Sequence, residues 1–170
     1  MSDYELEEMI FDQLGKGEEL GIVLAENLSV KEVLPDSRVL NRIEKNDWIV
    51  SINGELVSTA GLDILVLRNR FEPYLSMRVF KPRHGFTYHH VQIIANTDDI
   101  GLTLVDYCGH VVAIIRVDRG SLAHQAGMRR GDHFVHIQGR VVHDSVTAKE
   151  LIAEHIQLFC CVTVLLERTK

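Results

Sequence analysis

His143, Asp144 and Ser145 carry, in consecutive positions, the base, acid and hydroxyl that hydrolases use to cut acyl bonds. Three neighbours at a helix start cannot reach the geometry of nucleophile, base and orienter, so they read as a helix cap. His133 and His136 could ligate a metal, and so could His89 and His90. Both pairs fall in strand-like runs, where residues one or three apart point to opposite faces, which argues against a shared ion. The sequence holds no phosphate loop and no HExxH zinc motif. What remains is an arrangement that occurs twice: Glu18-Glu19 stand before Leu20-Gly21-Ile22, and Asp98-Asp99 before Ile100-Gly101-Leu102. The two glycines lie 80 positions apart, and each opens an alternating apolar run that reads as a strand.

The elements around these loops also recur. "NDWIVSINGELV" (46–57) matches "GDHFVHIQGRVV" (131–142) residue for residue. Asn53-Gly54 and Gln138-Gly139 stand between short apolar runs, a hairpin signal that needs positive φ at both central residues. Asn46 faces Gly131, a sensible exchange because Asn best tolerates the left-handed region among non-glycines. Each half holds a strand ("SVKEV", "HVVAIIRV") and then a short helical turn capped by Asp36 or Ser37, or by Ser121. A longer helix follows, opened by Ser58 or Thr59 in one half and by Asp144 or Ser145 in the other. "LSMRVF", with Leu75, Met77 and Val79 on one face, and "CVTVLLE" close the halves as strands. "KPRHGF" joins them as a turn whose shortness restricts their arrangement.

The apolar-Gly-apolar loop, the run Asp47 to Gly54 with its counterpart Asp132 to Gly139, and the late helix together resemble PDZ domains, over most of the chain. The close succession of the halves is similar to the syntenin tandem. The resemblance implies a mainly β fold with α: two tandem PDZ-like partly open β-barrels, each of about six strands and two helices. The expected domains are 1–80, with an opening strand near 6–14, and 87–170, with 81–86 as linker.

It also implies a groove between the second strand and the long helix, where a partner's C-terminus adds a strand and its carboxylate meets loop N–H groups. Carried onto this sequence, the peptide-binding residues are Leu20, Gly21, Ile22, Val23 and Leu24, with Leu62 and Val66 on the helix. In the second half they are Ile100, Gly101, Leu102, Thr103 and Leu104, with Thr147, Ala148 and Leu151. The position that reads the third-from-last ligand residue falls on Leu62 or Asp63, and on Thr147 or Ala148. None is the histidine that pairs with Ser or Thr ligands, so a hydrophobic or atypical specificity is expected.

The acid pairs depart from a simple carboxylate site. Either they point to solvent and leave the backbone N–H groups to the ligand, or at least one groove no longer prefers a free C-terminus. Lys16 offsets the charge of the first loop. Only 16 positions separate Gly21 from Ser37, against 20 from Gly101 to Ser121, so the first groove looks reduced and the second is expected to bind better.

Composition narrows the function class. With 46% hydrophobic and 25% charged residues the chain reads as globular, and a net charge of −6 disfavours nucleic acid as a partner. The acidic start is no signal peptide, and no apolar run is long enough to span a bilayer. A cytoplasmic location follows as the expectation, with Cys108, Cys160 and Cys161 as buried or half-buried thiols. No cofactor, metal or enzymatic activity is expected. The function expected is a scaffold or adaptor in signalling that binds C-termini of membrane or cytoskeletal proteins. The alternative is a self-associating, homodimeric or closed module with degenerate grooves. Weak binding to anionic lipid, through Lys81, Arg83, His84, Arg129 and Arg130, is the third reading.

Overall fold

The computed structural model describes residues 6–14, 18–57, 62–97 and 99–170. Lys16, Ser58, Thr59 and Asp98, which figure in the expectations above, lie outside the described residues, as does the side chain of Asp63. Backbone contacts divide the chain into two compact units, Leu6–Arg83 and His84–Lys170. The fold is mainly β with α, as expected, with six strands in each unit among the described residues.

In the N-terminal unit, β1 (Glu7–Asp12), β6 (Tyr74–Phe80), β4 (Trp48–Ile52) and β5 (Glu55–Leu56) form one sheet in the order β1-β6-β4-β5. β2 (Ile22–Leu24) and β3 (Val30–Val33) form a separate pair, tied to β4 by an isolated bridge from Ser29 to Trp48. α1 (Leu62–Arg68) is the helix described in this unit. The short helix expected from Ser37 is instead a series of turns ending at Ile43, because Asn41 sits at φ 69° and interrupts the right-handed run. Leu75, Met77 and Val79 share one fully buried face of β6, as their alternation requires.

In the C-terminal unit the order is β7-β12-β10-β9-β8, from β7 (Phe86–Ile94), β12 (Cys161–Thr169), β10 (His133–Ile137), β9 (Val111–Val117) and β8 (Leu102–Tyr107). The short β11 (Arg140–Val141) folds back on β10. α2 (Leu122–Gln125) begins at Ser121, whose hydroxyl accepts the His124 N–H at 3.2 Å. α3 (Ser145–Phe159) packs Ala148, Leu151, Ile152 and Ile156 into a core with Val112, Phe134, Ile137, Val162 and Leu166. Burying such side chains is worth roughly 1.5–3 kcal/mol each, which is what holds the helix beside the sheet.

Both hairpins form as their residues dictate. Asn53 and Gly54 sit at φ 48° and 82°, and Gln138 and Gly139 at 49° and 75°, as a type I′ turn demands. The side-chain carbonyl of Asn53 accepts the Ser76 N–H at 2.7 Å, and that of Gln138 accepts the Thr163 N–H at 2.6 Å. An amide side chain therefore continues the ladder onto the last strand of each unit, which explains Asn and Gln at this place.

The same strands carry a bulge, between Ile49 and Ser51 in β4 and between Phe134 and His136 in β10. It overturns the expectation that His133 and His136 face apart. His133 pairs with Glu167 and His136 with Leu165, two residues apart on β12, so the extra residue Val135 returns both to one face. Among the described residues no group of three or more His, Cys, Asp or Glu stands where it could hold a metal.

Two of the three thiols also differ from expectation. Cys108 and Cys160 are exposed and Cys161 is half-buried, because Cys108 occupies the β8–β9 turn at φ 50° and Cys160 the left-handed cap of α3 at φ 55°. Turn geometry, not apolarity, decides their place. Among the described residues no helix is long and apolar enough to cross a membrane.

Candidate functional site

Gly101 adopts φ +83° and its backbone lies against Ser121, so close that a Cβ would stand 2.5 Å from the Ser121 hydroxyl oxygen. Gly21 adopts φ +70° against Ser37, whose Cβ would be 2.9 Å from an added one. Only glycine combines positive φ with that approach. The loop carbonyls turn inward: Leu20 O accepts the Ser37 hydroxyl at 2.6 Å, Ile100 O the Ala123 N–H at 3.0 Å and Gly101 O the Asp118 N–H at 2.9 Å. Each loop is thereby pinned to the turn that follows the third strand of its unit.

Among the described residues β8 pairs with β9 alone and is the edge of its sheet. Its other edge faces α3, because the Ser145 N–H at the helix start donates to Asp106 Oδ1 at 2.6 Å, near the far end of β8 from Gly101. Between β8 and α3, toward the Gly101 end of the strand, opens a narrow cavity of about 80 Å³ lined by Asp99, Ile100, Leu102, Leu104, Lys149 and Ile152. In the N-terminal unit a wider cavity of about 360 Å³ is lined by Gln13, Leu14, Glu18, Glu19, Leu20, Val66, Leu67 and Arg70. β2, at three residues, offers half the edge of the six-residue β8. The chain reverses at once through Ala25 to Ser29, with Leu28 at φ 71° and Asn27 Oδ1 accepting the Ser29 N–H at 3.1 Å.

The structure therefore brings Ile100, Leu102 and Leu104 together, and Leu20 with Val66. Gly21 and Gly101 shape the loops, while Ile22, Val23, Leu24 and Thr103 lie on the edge strands and line neither of these two cavities. The helix positions named from the sequence differ in burial and bonding. Ala148 is fully buried, Leu151 and Leu62 lie in the hydrophobic cores, and the Thr147 hydroxyl donates to Asp144 Oδ2 at 2.8 Å. Lys149 and Ile152 line the cavity instead, three apart on one stripe of α3. The periodicity of α3 contained this signal, but a residue beside the cavity and one beneath it are both apolar-compatible until the helix is docked.

The acids do not simply face solvent. The Glu18 carboxylate receives Arg38 at 2.6 and 2.8 Å, and the same guanidinium donates to the carbonyls of Asp12 and Gln13 at 2.9 and 2.8 Å. Arg38 thus neutralises one acid of the first loop, a partner that 20 residues of separation had hidden. Asp99 Oδ1 accepts the Gly101 N–H at 3.1 Å, so a carboxylate of the chain itself occupies a loop donor. If the loop receives a ligand carboxylate, Asp99→Ala should tighten peptide binding about fivefold, the size of one exposed charge-assisted contact. Asp99→Asn, which keeps an acceptor, should gain less; a titration showing no gain with either variant refutes the competition.

Asp144, the acid of the triad-like run, is the N-cap of α3: its Oδ1 accepts the Thr147 N–H at 2.7 Å. That bond, with the Thr147 hydroxyl, holds its carboxyl below the usual range. His143 lies edge-on to His110, with ring centroids 6.5 Å apart. Among the candidate basic groups, Lys81 is committed to the buried Asp47 at 2.6 Å.

With this geometry in view, the chain is similar in structure to PDZ domains. A PDZ domain from choanoflagellate GIPC bound to a B1AR peptide matches 49% of this chain and 92% of its own, at 22% identity and a TM-score of 0.45. The third PDZ domain of human Dlg5 matches 52% of this chain and 76% of its own, at 24% identity and a TM-score of 0.44. A complex of INAD PDZ45 with NORPA CC-PBM matches 98% of this chain and 93% of its own, at 15% identity and a TM-score of 0.41. No protein-family model and no curated protein matches the sequence.

Proposed function

We propose that this chain is a scaffold or adaptor that holds the C-terminal tails of partner proteins by strand addition. The observation that carries this reading is the open edge of β8, flanked by α3, walled by apolar side chains and ended by the glycine loop. Six edge residues present roughly 20 Å of backbone, and an added strand gains main-chain hydrogen bonds whatever its sequence. We assign two tandem domains, 1–80 and 87–170, joined by 81–86 in a syntenin-like succession, with the C-terminal groove the better binder. Its longer edge strand supports that preference. The binding residues in this reading are Ile100, Gly101, Leu102, Leu104, Lys149 and Ile152, and in the first domain Leu20, Gly21, Ile22 and Val66. The partners are tails of membrane or cytoskeletal proteins met in the cytoplasm, and two grooves on one chain add avidity toward clustered tails.

The test is a fluorescence-polarisation screen of the full chain against free-acid C-terminal peptides, each paired with its C-terminally amidated twin. Free acids should bind about tenfold tighter than their amides, since a charged ligand oxygen on a backbone N–H is worth roughly 1.5 kcal/mol. Equal binding of the twins would remove this reading. The Asp99 contact on Gly101 favours a second one, a groove closed by its own loop whose strand edges pair with another copy. Sedimentation of the full chain distinguishes them, because that reading requires a concentration-dependent dimer.

A further inference from the structure

The cavity beside β8 is apolar at the glycine loop, where Ile100, Leu102 and Ile152 meet, and cationic one helical turn away, at Lys149. Its direction is set by two anchors. Gly101 marks the loop end of β8, and the bond from Ser145 to Asp106 places the start of α3 at the opposite end of that strand. Running from Ile152 to Lys149 along the helix therefore follows β8 from Leu102 toward Leu104 and Asp106. Three helical residues advance about 4.5 Å, two strand residues about 6.7 Å, and the flexible stem of a lysine covers the difference. Lys149 is exposed and makes no hydrogen bond or ion pair among the described residues. The acid that shares the cavity, Asp99, is turned onto the Gly101 N–H at the loop end.

We infer that the C-terminal groove selects chain ends with an aliphatic last residue and an aspartate or glutamate third from the end, Lys149 being the residue that reads the acid. This rests on the proposed binding of free C-termini. In a strand laid antiparallel on β8, the last and third-from-last side chains point the same way, toward α3. The first meets Ile100, Leu102 and Ile152; the second comes abreast of Leu104 and Lys149. Lysine has a compact, mobile charge, which suits a carboxylate arriving on a chain of either length. Leu62 and Ala148, from which a hydrophobic preference was expected, line neither of the two cavities described above.

The experiment uses the full chain and three labelled peptides that end in valine and differ only in aspartate, serine or lysine third from the end, each as free acid and amide. In the wild type the aspartate peptide should bind about fivefold tighter than the lysine peptide, the span of a partly exposed ion pair, and rising salt should shrink that ratio. In Lys149→Glu, an exposed position whose folding is checked by circular dichroism, the order should invert. Free acids that all bind alike, or an order unchanged in Lys149→Glu, overturn the inference while leaving C-terminal binding intact. Free acids that bind no better than their amides overturn both.

Discussion

Gly101→Ala is expected to destabilise the C-terminal unit by about 3 kcal/mol and to abolish peptide binding there, whereas Gly21→Ala costs its own unit about 2 kcal/mol. Two penalties act together at Gly101. A side chain at φ +83° strains the backbone, and its Cβ collides with the Ser121 Cβ and hydroxyl. Ser121 cannot step aside cheaply, since its hydroxyl caps α2 and its N–H bonds Asp118 O at 3.1 Å. Gly21 faces a gentler contact at 2.9 Å, hence the smaller effect. Adding Ser121→Gly to Gly101→Ala should relieve the collision but not the backbone strain. Trp48, the single tryptophan, lies in the N-terminal unit, so the C-terminal unit has no tryptophan of its own to report its unfolding. Hydrogen exchange resolved by residue is therefore the measurement: protection should fall in β8, β9 and α2 while the N-terminal unit keeps its own. Unchanged protection in the C-terminal unit would contradict the approach of Gly101 to Ser121.

Asp132→Ala should cost about 3 kcal/mol, the usual consequence of removing one member of a buried ion pair. The Asp132 carboxylate is 1% exposed and accepts three bonds: from Arg129 N–H at 2.8 Å and from Arg168 Nε and Nη2 at 2.7 and 2.8 Å. Truncation leaves that N–H and a half-buried guanidinium without their acceptor. Arg168 also donates to Gly127 O at 2.9 Å, so it is held in place and cannot swing freely to water. Asp132→Asn keeps an acceptor for the N–H and should cost about half as much. Urea unfolding followed by circular dichroism, with hydrogen exchange resolved by residue assigning the loss to the C-terminal unit, checks both values. A loss within about 0.5 kcal/mol, typical of a surface substitution, would show that Arg168 finds equal partners elsewhere. The corresponding Asp47 takes Glu44 N–H at 2.9 Å and the Lys81 amine at 2.6 Å, a point charge in place of a planar fork.

The two aspartates also mark the limit of what residue order states on its own. Asp47 and Asp132 open the recurring run, and both bond the N–H three residues before them. Such contacts are local, so the residue type and its spacing state them. The hairpins at Asn53-Gly54 and Gln138-Gly139, the cap at Asp144 and the left-handed Asn46 at φ 76° belong to the same kind. The helix register at the groove was not legible. Ala148, Lys149, Leu151 and Ile152 differ by one or two positions, and only docking against β8 decides which of them faces the cavity.

The chain by itself determined two glycine loops, strand alternation, turns and caps, because each depends on φ preferences and on side chains within a few residues. Tertiary structure alone decided that Val135 bulges and returns His133 and His136 to one face, and that Arg38 neutralises Glu18. It decided likewise that Asp99 turns onto Gly101, and that Lys149 stands beside the open edge of β8. Register against a neighbouring strand, the reach of a guanidinium across 20 residues and the rotation of a helix about its axis depend on long-range packing, and no local preference encodes them.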